Sequence, residues 1–162
     1  MKAKTIETSS TKLGRLTGVV YLLIIVGGLA GSLFFRGFLL ELTDTSQIME
    51  ELQHQQFQYQ LGFLSDLLMV IADVVVSILF FYLLRTVNTT LALFAMVFRL
   101  IQSAILGVNL LNLFSPILIL KGHQAEATKA HEMVHALELF DYGYLISGVF
   151  FGINCLLMGY LI

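Results

Sequence analysis

The sequence predicts an all-α protein: an integral membrane bundle of four antiparallel helices, with amphipathic helical segments on its outer side. Three observations predict it. The first is length, because the apolar stretches Leu16–Phe35, Leu61–Leu84, Leu91–Leu120 and Gly143–Ile162 each reach about the 20 residues that a helix needs to cross roughly 30 Å of hydrocarbon. The second is composition. Hydrophobic residues make up 57% of the chain, charged residues 12%, and mean hydropathy is +0.86, whereas a soluble domain carries about 25% charge, so this inventory cannot build a water-soluble surface. The third is the shortness of the polar connections, which leaves the 162 residues as one transmembrane domain, 1–162, with no room for a second, soluble unit.

The first stretch follows Lys2, Lys4, Lys12 and Arg15, a pattern that also opens secretory signals. A signal's apolar core is roughly 7–15 residues and ends in small residues, whereas this one ends in Phe34-Phe35-Arg36 and reads as a retained helix. Basic flanks stay in the cytoplasm, so the N-terminus is expected inside. The link 36–60 sets Arg36 against Glu41, Asp44, Glu50 and Glu51, and the link 121–141 sets Lys121 and Lys129 against Glu126, Glu132, Glu138 and Asp141. Both suit the outer side, while Arg85 falls in the tight inner link 85–90. The expected placement is a multi-pass protein of the cell membrane with both termini cytoplasmic. The single cysteine, Cys155, lies inside the last stretch and has no partner in the chain for a disulfide.

Neither outer link reads as plain coil. Asp44-Thr-Ser-Gln47 offers an N-cap, and Ile48, Met49, Leu52 and Tyr59 follow near helical spacing. This predicts an amphipathic helix lying on the outer leaflet or extending the second span. From Gln124 onward, Ala130, Met133, Val134, Leu137 and Phe140 form one apolar stripe, predicting a helix that runs directly into the fourth span. Gly27 with Gly31, and Gly148 with Gly152, have the small-xxx-small spacing that lets membrane helices approach closely.

The segments Gly14–Gly28, Leu83–Leu113 and Tyr142–Ile162, and most specifically Phe98-Arg-Leu-Ile-Gln102 with Asn109-Leu-Leu-Asn112 and Phe150-Phe-Gly152 with Gly159-Tyr160, carry a family resemblance. The chain resembles, over nearly its whole length, an uncharacterised bacterial integral-membrane family known by a domain-of-unknown-function label in the four-thousand-three-hundreds. The resemblance implies a multi-span membrane protein and supplies no activity. It also implies longer relatives with further C-terminal helices, so the chain is expected to be a fragment or a short form. Relatives often carry histidine where this chain has Asn154.

The most suggestive chemistry lies in the second and third spans. Asp66 and Asp73 stand seven residues apart on one helical face, and Gln102 and Asn109 repeat that spacing. A hairpin centred near Val87 and Asn88 sets Asp66 opposite Asn109 and Asp73 opposite Gln102, with Arg99 one turn away. Carboxylates at membrane depth are costly and face a partner, a cavity or a pathway. Two readings stand for Asp66, Asp73, Arg99, Gln102 and Asn109: a polar clamp that fixes helix register, or a site that binds or passes a small solute, an ion or a proton.

His131-Glu-Met-Val-His135 matches the H-E-x-x-H pattern in which two histidines one turn apart hold zinc and the glutamate acts as base. A catalytic zinc needs a third protein ligand, and Glu138 stands seven residues from His131, about 10 Å along the axis. A ligand would have to come from elsewhere, with His54, Glu50, Glu51 or Asp66 on the same side. The alternatives at His131 and His135 are a solvated helix face, an outer-face zinc site, or a zinc-dependent hydrolase. No basic stripe or Gly-rich phosphate loop is present, so neither nucleic acid nor nucleotide is an expected partner. The expected partners are the lipid bilayer, an unidentified small solute and a second copy of the chain. A purely structural or regulatory membrane role is the remaining alternative.

Overall fold

In hydrocarbon every backbone N–H and C=O must be satisfied within its own segment, so long apolar runs become helices. The computed structural model describes residues 2–37, 45–123 and 125–162, and their regular structure is helical. The elements are α1 (Lys2–Leu29), continued by a π-helical stretch (Ala30–Phe35), then α2 (Thr45–His54), α3 (Gln56–Leu84), α4 (Thr89–Leu120) and α5 (Glu126–Leu161). Among the described residues, four helices are long and apolar enough to cross a membrane: Thr11–Phe34, Gln56–Leu84, Thr89–Leu120 and Glu126–Leu161. They extend beyond the apolar stretches because propagation adds one bond per residue once a helix has nucleated, so polar flanks such as Gln56–Gln60 stay helical.

The spans run antiparallel, and their register can be read from cross-helix contacts. Between α3 and α4 the turn is tight, and the Asn88 side chain caps α4 by accepting from the Leu91 N–H at 3.1 Å. That turn sets Tyr59, which donates to the Leu113 carbonyl at 2.6 Å, at one end of the pair and Asp73 opposite Arg99 nearer the middle. Between α1 and α3, the Ser65 hydroxyl donates to the Gly27 carbonyl at 2.9 Å. A Cβ on Gly31 would sit 3.6 Å from the Gly62 carbonyl oxygen, so Gly27 and Gly31 serve the close approach that their spacing predicts. Gly148 and Gly152 do not, because both are exposed and a Cβ on either would meet nothing within 4 Å among the described residues.

The second outer link and the fourth span form one helix, α5, as expected. The first outer link behaves differently: α2 is a separate helix, broken from α3 at Gln55, where φ is −106° and ψ is 26°. Leu52 of α2 and Tyr59 of α3 are buried with Leu113, Met133 and Phe140, which folds α2 back onto the extension of α5. The expected cap at Asp44, the charge at Glu41 and the helix start at Gln124 lie outside the described residues.

Packing runs in the order α1, α3, α4, α5, and α1 and α5 share no extended contact. Only 11% of the most apolar window of α1 is buried, so that helix leans on α3 and leaves its remaining surface open. The resulting cleft between α1 and α5 is what positions the polar residues.

Candidate functional site

Asp73 lies eleven residues before the end of α3 at Leu84, about 16 Å along the axis and so near the middle of a roughly 30 Å core. It pairs with Arg99 of α4. Arg99 donates from Nε at 2.9 Å and from Nη2 at 2.5 Å, both to Asp73 Oδ1. The Ser103 hydroxyl donates to Oδ2 at 2.7 Å, and each member of the pair is 3% exposed. Three rings surround the guanidinium, with centroids 5.2 Å (Tyr21), 5.5 Å (Phe151) and 5.8 Å (Phe80) from Arg99 Cζ. The carboxylate is satisfied at both oxygens and the two charges cancel, so the pair is neutral as a unit.

Gln102 stands one turn further along α4 and opens a different chemistry. It shares with Asp73 and Arg99 a cavity of about 270 Å³ in the cleft, walled by Tyr21 and Ile25 of α1, Leu106 of α4 and Ser147 and Phe151 of α5. Its Oε1 is buried and has no hydrogen-bond partner among the described residues. An orphaned buried acceptor costs about 1–3 kcal/mol, and such groups call for an explanation in water, an ion or a ligand.

The other half of the ladder departs from the sequence expectation. Asp66 does not meet Asn109. It is bonded and ion-paired to Arg36, the residue that ends the π-helical stretch, and Arg36 also lies 5.5 Å from the Phe140 ring centroid. Gly31 makes that pairing sterically feasible, since a Cβ there would stand 2.7 Å from Asp66 Oδ1. Asn109 turns instead to α5, where its Nδ2 donates to the Phe140 carbonyl at 2.7 Å. Gly143 leaves the space, because a Cβ there would overlap the Asn109 amide. Arg36 and Asp66 line a larger cavity of about 470 Å³ with Ser32, Leu137, Glu138 and Asp141. Tyr144 borders this chamber and the inner one alike, so the two chambers are stacked along the same cleft.

His131 and His135 are exposed on the extension of α5, as is His54. Among the described residues no group of three His, Cys, Asp or Glu side chains is placed to hold a metal. Asp66, one of the acids considered as a third ligand, is engaged by Arg36. Sequence reasoning missed Arg36, which reads as a loop charge, and Ser103, Tyr21 and Ser147, which read as ordinary core. The close approach signalled by Gly27 and Gly31 was the cue to Arg36, for it brings the end of the first span beside the start of the second.

Long apolar helices packed antiparallel around buried ion pairs are consistent with a multi-pass membrane protein. The chain belongs to the family described as Domain of unknown function (DUF4386), which matches residues 16–162. No curated protein and no solved structure matches it.

Proposed function

We propose that this is a multi-pass protein of the cell membrane that binds or passes a small solute at the Asp73, Arg99 and Gln102 cluster. The observation that carries the reading is the buried, unpartnered Gln102 Oε1 on the wall of the 270 Å³ cavity, because a fold that used Gln102 only for its own cohesion would bond it. In this reading Asp73 and Arg99 are the frame that fixes α3 against α4, and Gln102 is the group that meets the solute. Asp66 with Arg36 polarises the chamber nearer α2, and Asn109 holds α5 in place. The basic residues Lys2, Lys4, Lys12 and Arg15 support a cytoplasmic N-terminus, which turns the α2 end and its larger chamber outward.

The test is the reactivity of a thiol placed at the site. In a Cys155→Ser background, Gln102→Cys is expected to react with methyl methanethiosulfonate, a small uncharged reagent, far faster than a thiol at Val76, which is fully buried and lines neither chamber. A thiol at 102 as inert as one at 76 would contradict the reading.

A further inference from the structure

Resting on that reading, we infer that the solute is an uncharged amphiphile with a hydroxyl head, drawn sideways from the bilayer into the cleft between α1 and α5. The charge of the cavity comes first. Asp73 spends its two oxygens on Arg99 and Ser103, so no free charge is left to meet an ionic head. Bringing an ion to this depth unpaired is expensive. Among the described residues the one buried side-chain nitrogen or oxygen without a partner is the Gln102 amide oxygen, which needs a donor, and a hydroxyl both donates and accepts, so it serves either end of the amide.

The walls argue for an apolar body behind that head. Ile24, Ile25, Met69, Leu106 and Phe151 line the inner chamber. Its flank is open where α1 and α5 fail to close, with Ile25 49% exposed and a Cβ at Gly148 meeting nothing within 4 Å. Both residues belong to candidate spans, so the opening faces lipid and not water. The inner chamber, about 270 Å³, lies near the lower end of the range of small-ligand sites, which run from about 300 to 1,000 Å³.

The chain has no tryptophan, so Ile25→Trp supplies a single reporter at the mouth of the cleft. Reconstituted in phosphatidylcholine vesicles, it should be quenched saturably by 12-bromododecanol at low mole fraction. 1-Bromododecane, which lacks the donor, should quench only in proportion to its bulk concentration. Gln102→Met should weaken the alcohol about tenfold or more, the scale of one lost hydrogen bond at a desolvated site. Gly148→Leu, which leaves Gln102 intact and fills the mouth, should abolish saturation. Equal quenching by the bromoalkane, or saturation unchanged in both variants, would overturn the inference. So would a Gln102→Cys thiol that glycerol in water protects from methyl methanethiosulfonate and dodecanol in the membrane does not; that result would leave the small-solute reading standing.

Discussion

Breaking the central ion pair from one side should cost more than breaking it from the other. Arg99→Leu leaves the Asp73 carboxylate in a site where it is 3% exposed, with the Ser103 hydroxyl, 2.7 Å away, as its remaining donor. A buried charge left in this way costs about 3–5 kcal/mol. Asp73→Leu strands the guanidinium instead, but Tyr21, Phe80 and Phe151 remain within 5.8 Å. Desolvated cation–π contacts are worth up to about 2 kcal/mol, so this loss should be smaller, at about 1–3 kcal/mol. The double replacement removes both charges and should recover most of either loss, because apolar substitutes for a buried pair are commonly neutral or stabilising. Reversible unfolding in mixed micelles, run as a double-mutant cycle, measures all three. Additive losses in the double variant, or Asp73→Leu proving the costlier single change, would refute the reasoning.

Two glycines that face close neighbours should behave in the opposite way to a third that does not. Gly31→Ala and Gly143→Ala should each destabilise by about 1–3 kcal/mol through overpacking against Asp66 and Asn109, whereas Gly152→Ala should be neutral or gain about 0.5–1 kcal/mol; loss of stability at Gly152 would instead point to a partner on that face. In the Cys155→Ser background, an impermeant maleimide added outside cells should label His54→Cys and spare Thr86→Cys, and the reverse pattern would invert the topology. Purified protein dialysed against metal-free buffer is expected to hold well under one zinc per chain, because the described residues offer His131 and His135 no third ligand. One bound zinc that disappears in His135→Ala would assign them as a metal site.

The parts of this architecture that could be read in the sequence are those governed by length and by local links. Four spans followed from the apolar stretches, and the short hairpin brought Asp73 within one turn of Arg99, although the depth match set Gln102 opposite Asp73 and the structure instead bonds Asp73 to Arg99 and Ser103. Asp66 escaped that logic because its partner comes from a non-adjacent span. Arg36 reaches it only through the glycine contact between α1 and α3, and the π-helical stretch that delivers Arg36 leaves no compositional mark. Asn109 was misassigned for a similar reason: space at Gly143 draws it toward α5, and a depth match alone cannot weigh that alternative. That Gln102 Oε1 lacks a partner was not legible at all, since hydrogen-bond satisfaction depends on every neighbour in three dimensions.

The stability of a Gln102→Met variant tests the central claim most directly. If the Gln102 amide is kept for a solute, the empty fold bears the cost of an orphaned acceptor, and the nearly isosteric methionine should raise unfolding stability by about 1–3 kcal/mol in delipidated, detergent-purified protein. A fall in stability of similar size would show that Gln102 is bonded within the fold, and would contradict its assignment as the solute-binding group.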